Sequence, residues 1–185
     1  MTAHKVVMAV LLAAVSVPAG ASVMVIGNNS ARLCYEAAES TLSPTNDDFR
    51  RCDMALREEA LARHDLVATH VNRGILKLRR GQVDAAIMDF DRAIAMDPSQ
   101  PEAYLNKGAA LIRMENAAGA LPLFTASLER NTERPELAHY GRAIANESLG
   151  NARAAYNDYR RASELRPGWD EPLVELRRFR IVERR

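Results

Sequence analysis

Aromatic residues make up only 5% of this 185-residue chain, lysine occurs three times against 22 arginines, and cysteine twice. Each scarcity excludes something. Few aromatics and few runs of Val, Ile and Thr beyond residue 30 leave little from which to build a sheet, while Ala, Leu, Arg and Glu abound, so the expected fold class is all-α. A net charge of +1 provides no field to hold a nucleic-acid backbone or to draw the chain onto an anionic membrane. With 48% apolar and 26% charged residues the composition is that of a globular chain, not a disordered one. No P-loop, H-E-x-x-H, G-x-S-x-G or C-x-x-C is present, so the expectation is no enzyme. His4, His64, His70 and His139 lie apart, without a third ligand at helical spacing, and neither a metal nor another cofactor is expected. The preference for arginine over lysine reads as GC-rich bacterial coding.

Long apolar runs are also missing, except at the start. MTAHKVVMAVLLAAVSVPAGAS has a basic n-region ending at Lys5, an apolar run over residues 6–15, a breaker at Pro18 and the small triplet Ala19, Gly20, Ala21. This is the pattern of a signal peptide, residues 1–21, cut before Ser22. No charge interrupts residues 6–31, so the alternative is an uncleaved anchor over residues 6–26. Either way the remainder is expected to be exported, to the periplasm of a bacterial host, and contact with the membrane is expected only through that segment.

Export changes the reading of Cys34 and Cys52, because oxidising compartments keep disulfides. Residues 22–33 read as a linker and residues 34–66 as a helical pair, turned at TLSPTND, where Asn46 or Asp47 can cap the second helix. Antiparallel helices so joined bring the two thiols together, and a disulfide is expected.

GQVDAAIMDFDRAIAMDP at residues 81–98 and GNARAAYNDYRRASELRP at residues 150–167 share Gly81/Gly150, Ala85/Ala154, Ala86/Ala155, Asp89/Asp158, Arg92/Arg161, Ala93/Ala162 and Pro98/Pro167. Midway, ENAAGALPLFTASLERNT keeps Ala120 and Phe124 in register. The preceding halves align Gly74, Gly108 and Ala143. Three copies at spacings of 34 and 35 residues, each helix–turn–helix, resemble the tetratricopeptide repeat. The resemblance assigns residues 67–100, 101–135 and 136–168 to three repeats of a right-handed superhelix of antiparallel helix pairs, within residues 67–168. Residues 169–185 read as the capping helix, with Leu173, Leu176 and Phe179 on its apolar stripe. It places small residues where paired helices cross (Gly74 with Ala86, Gly108 with Ala120, Ala143 with Ala155) and large ones behind them (Phe90, Phe124, Tyr159). The middle copy departs: Thr132 replaces the terminal proline, giving an expected looser exit turn, and Pro122 falls inside its second helix. The register usually aromatic reads His70, Tyr104 and His139, expected as packed imidazoles and not as a metal pair.

In this family the first helices line a concave groove that takes peptides. The resemblance therefore implies a groove for a protein or peptide partner built from Val71, Asn72, Ile75, Leu78 and Arg79; Leu105, Asn106, Ala109, Ile112 and Arg113; and Tyr140 and Ile144. Asn72 and Asn106 suit a peptide backbone, and Arg79 and Arg113 add charge along one edge. Of a carboxylate clamp only Asn106 matches. The occupant is either an external partner or the chain itself, through SVMVIGNNS folding back or a second copy. Alternatives in function are a self-associating envelope protein or an assembly chaperone for exported clients.

Overall fold

The computed structural model describes residues 20–26, 30–58 and 60–179, so the apolar run at residues 6–15 lies outside the described residues. Among the described residues there are nine helices and no strand: α1 (Ser30–Glu39), α2 (Asn46–Glu58), α3 (Arg63–Arg79), α4 (Val83–Met96), α5 (Pro101–Arg113), α6 (Ala117–Glu129), α7 (Pro135–Ser148), α8 (Ala152–Leu165) and α9 (Asp170–Leu176). The pairs α3/α4, α5/α6 and α7/α8 pack in sequence, each also touching the next, which is the order of a solenoid.

Helix–helix packing explains the small residues. Ala86, Ala120 and Ala155 are fully buried. The glycines, however, answer to the large ring behind rather than to those alanines. A Cβ on Gly74 would stand 2.4 Å from Phe90 Cε1, and one on Gly108 would stand 3.0 Å from Phe124 Cε1. Phe124 also presses on the following pair, since a Cβ on Gly141 would lie 2.3 Å from its Cζ.

The turn inside each pair uses one pattern of bonds. Gly81 N donates to Leu78 O and Gln82 N to Lys77 O, and the same pairs recur at Glu115/Asn116 and Gly150/Asn151. That turn needs a left-handed residue, which Gly81 (φ 80°) and Gly150 (φ 79°) accept freely. Glu115 must hold φ 58°.

Cys34 and Cys52 form a disulfide between α1 and α2. Helix α1 begins at Ser30, ahead of the expected boundary at Cys34, and α3 begins at Arg63, ahead of residue 67. The cap of α2 is Thr45 and neither Asn46 nor Asp47: Thr45 N donates to Asp48 Oδ2, 2.7 Å, while Asp48 N donates to Thr45 Oγ1, 3.3 Å. That reciprocal pair is a capping box. The exit turn of the middle repeat is also firmly bonded, since Glu102 Oε1 accepts from Thr132 Oγ1 at 3.1 Å and from Glu133 N at 3.0 Å. At the C-terminal end α9 is short. Leu173 points outward at 42% exposure, while Trp169 and Pro172 are buried and Leu176 and Phe179 pack at the margin of the core. Pro172 in the first turn of α9 takes the inner position expected of Leu173, and Phe179 returns beyond the helix against Tyr156 and Tyr159.

Candidate functional site

The groove lined by α3, α5 and α7 is filled by the chain's own residues 20–26. They run extended, with Ala21, Val23 and Val25 buried and Met24 and Ile26 exposed, the alternation of a half-buried strand. Two asparagines one repeat apart hold the backbone. Asn72 makes a reciprocal pair with Val23, accepting from its N at 2.9 Å and donating to its O at 2.8 Å. Asn106 Nδ2 donates to Ala21 O at 2.9 Å and to Glu102 O, in its own helix, at 2.8 Å. Farther along α3, Ile26 N donates to Asp65 Oδ1, 3.1 Å. Ser22 Oγ donates to Glu39 Oε1 on α1. Burying an unpaired peptide group costs about 1–3 kcal/mol, so these side chains make an extended backbone tolerable in an apolar trough.

The apolar groove residues divide between two clusters. Val71, Ile75, Leu78 and Ala109 pack in one with Val23 and Val25. Leu105, Tyr140 and Ile144 pack in the other with Ala21 and Leu137, and Ile112 lies at its margin. Tyr140 is engaged on its other side too, its ring 4.8 Å from Trp169 and 5.6 Å from Tyr159. Burial and the carboxylates Glu175, Glu171 and Glu147 push its phenol up to about 12. A small cavity remains where the strand reaches Gly20, lined by Ile75, Leu105, Phe124, Leu137 and the two arginines among others.

Those arginines face helix ends. Arg79 donates to the carbonyls of Ala37, Ala38 and Leu42 at the end of α1, and Arg113 Nη1 donates to Leu78 O, 2.6 Å, at the end of α3. Each closes the C-terminus of a preceding helix, where carbonyls lack partners. Burial lowers the pKa of both.

Away from the groove lie two buried carboxylate centres that the repeat pattern alone does not explain. Asp89 on α4 accepts from Arg73 Nη2 at 2.6 Å and Nε at 2.9 Å, with Lys77 Nζ at 2.8 Å and His70 Nδ1 at 3.2 Å. Asp158 on α8 repeats this with Arg142 at 2.8 and 2.9 Å and His139 Nδ1 at 2.8 Å. Burial raises both carboxyls, but the bonds from His70, Arg73 and Lys77, and from His139 and Arg142, reverse it and hold each below the usual carboxylate range. The imidazoles are thus packed partners of a buried acid. Among the described residues no three His, Cys, Asp or Glu side chains are grouped to hold a metal ion.

Comparison with known proteins places this geometry. Residues 70–114 match the family model for the TPR repeat. A curated relative, the Protein SGT1 homolog of Oryza sativa subsp. japonica, is 33% identical over 70 residues, 38% of this chain; the match spans only 19% of that protein's length. Among solved structures, the first TPR of Spaghetti (RPAP3) bound to the HSP90 peptide SRMEEVD aligns with TM-score 0.58 at 26% identity, over 60% of this chain and 88% of that one. The first TPR domain of human RPAP3 aligns with TM-score 0.59 at 26% identity, over 63% and 91%. MamA, at 19% identity and TM-score 0.60 over 70% and 72%, shares the fold. Repeat period, crossing residues and these likenesses agree: the chain folds as a tetratricopeptide-repeat solenoid.

Proposed function

We propose that this chain is a non-enzymatic protein-interaction module of the bacterial cell envelope, exported to the periplasm, whose concave groove holds a partner segment in extended form. The observation that carries the reading is the pair Asn72 and Asn106, which bind main chain and not side chains, two peptide units apart. Such contacts accept many sequences, while the apolar walls select uncharged ones. RPAP3's first TPR is bound to the HSP90 peptide SRMEEVD, an acidic sequence. Here the carbonyls of Ala37, Ala38, Leu42 and Leu78 occupy the two groove arginines, so a neutral segment suits this groove better. The Cys34–Cys52 disulfide is consistent with an oxidising compartment, and no described helix is long and apolar enough to cross a membrane.

A photoreactive residue at Arg113, on the groove rim, tests this in the intact envelope against the same residue at Met88, which is 72% exposed on α4. A defined partner captured from Arg113 and absent from Met88 is expected. Capture from Met88 alone would move the binding surface to the convex face. Self-association is the second reading, favoured by Met24 and Ile26, 65% and 80% exposed on the outer side of the groove strand.

A further inference from the structure

The strand in the groove crosses the expected processing site, and that coincidence has chemical content. Ala21 is 2% exposed and its carbonyl is held by Asn106. A peptidase needs the bond between Ala21 and Ser22 accessible and extended, so cutting has to precede docking.

Hydrolysis after Ala21 consumes one water, frees Ala21 as a carboxylate and leaves Ser22 with an α-ammonium. It removes Gly20 and Ala21 from the groove while Val23 and Val25 keep their places beside Asn72. What opens is a slot one strand wide. Its floor is Leu105 and Leu137, its backbone donor is Asn106 Nδ2, and its closed end is the new ammonium of Ser22, itself positioned by the Ser22 hydroxyl on Glu39. The slot is also narrow, since a Cβ on residue 20 would lie 1.8 Å from Asn106 Oδ1 and 3.2 Å from Ile75 Cγ1.

We propose that processing after Ala21 turns this end of the groove into a receptor for the C-terminal tail of a partner protein, one ending in glycine followed by a small residue. An occupant lying in the direction of the removed residues ends against Ser22, so its terminal carboxylate meets the ammonium. One oxygen of that carboxylate, at the place of the Ala21 carbonyl, accepts from Asn106 Nδ2, and the apolar floor excludes charged side chains. The proposal rests on the groove being the binding surface and adds the direction, the terminus and the residue size of what binds.

The test uses chain exported and purified with its native N-terminus, established by mass, and a fluorescein-labelled Val-Pro-Ala-Gly-Ala peptide followed by anisotropy. The free-acid peptide is expected to bind the processed protein at least tenfold more tightly than its C-terminal amide, and at least tenfold more tightly than it binds refolded, unprocessed chain. Asn106→Ala should weaken binding about tenfold; if that variant does not fold, the acid-to-amide ratio on the unaltered protein still decides. Equal binding of acid and amide overturns the ammonium pairing. Equal binding to processed and unprocessed chain overturns opening by cleavage, as does a mature chain that does not begin at Ser22. A released leader peptide retained in the purified complex overturns the partner-tail assignment. Absence of peptide binding overturns the proposal, while a partner captured from Arg113 would leave the groove reading in place.

Discussion

The outer helix pairs and the middle pair reach one geometry by different chemistry. In α3/α4 and α7/α8 a buried aspartate gathers cations across the helix interface, and a glycine occupies the left-handed turn position. The middle pair has Leu123, Lys107 and Tyr104 at the registers of the aspartate, arginine and histidine, and Glu115 in the turn. It also buries Ser127 where its neighbours have Ala93 and Ala162, and among the described residues Ser127 Oγ has no hydrogen-bond partner. What α5/α6 has instead is Phe124, seated against Gly108 and Gly141 and so shared between two pairs. The repeat thus requires a filled crossing, and the ionic clamp is dispensable to the fold.

Breaking the shared ring should have the largest effect. Gly141→Leu forces a side chain into Phe124 and is expected to cost upwards of about 3 kcal/mol, at or beyond the usual overpacking range; Gly108→Leu, with 3.0 Å of clearance where Gly141 has 2.3 Å, should cost less. Chemical denaturation followed by helicity reads both, and a Gly141→Leu chain as stable as the unaltered protein would mean the ring is not shared.

Next comes the clamp. Asp89→Asn leaves Lys77 without its buried counter-charge and Arg73 with only the half-exposed Asp53, at a cost of about 3 kcal/mol, and Asp158→Asn, with one fewer cation, should cost about 2 kcal/mol. Both folded carboxyls sit below their unfolded values. Their stabilisation is therefore complete above the ordinary carboxylate range, about pH 4, and is lost as pH falls below it through the folded values. The unaltered protein should lose melting temperature steeply as pH falls below about 4, and the double Asn variant should show a shallower acid limb from a lower plateau. An unchanged slope would show that other carboxylates govern acid unfolding.

The smallest changes make the middle pair resemble its neighbours. Ser127→Ala removes an unsatisfied buried hydroxyl and should raise stability by about 1 kcal/mol. Glu115→Gly relaxes a left-handed side chain, partly offset by the greater entropy of the unfolded glycine, for a gain of about 0.5 kcal/mol. Thermal melts of the single and double variants should show additive increases. A loss in either would mean that the departure serves the fold.

Period and residue size made the solenoid legible in the sequence, because Gly74, Gly108, Phe90 and Phe124 recur under one packing constraint. Asn72 and Asn106 stood out as backbone binders for the same reason. The aspartate clamps were half visible: Asp89 and Asp158 matched, as did His70 and His139, but their partnership joins residues 19 apart on different helices, which no single-helix pattern displays. Asp65 and Glu39 escaped because each serves the groove strand from a helix end or a neighbouring pair, outside the repeat register. The strand itself was ambiguous in principle. Residues 20–26 are apolar enough for a leader, an anchor or a groove ligand, and only packing against Val71 and Ile75 distinguishes the last.

The strand is joined to α1 through residues 27–29 alone, which gives the Val23 and Val25 positions a high effective concentration. For a connection that short it is on the order of millimolar or above. A free peptide that matches the strand's intrinsic affinity at micromolar strength would find its apparent dissociation constant raised about a thousandfold at the Asn72 register. Competition from solution is thereby confined to the Asn106 register, and the length of those three residues becomes the quantity that sets how much of the groove another molecule can use.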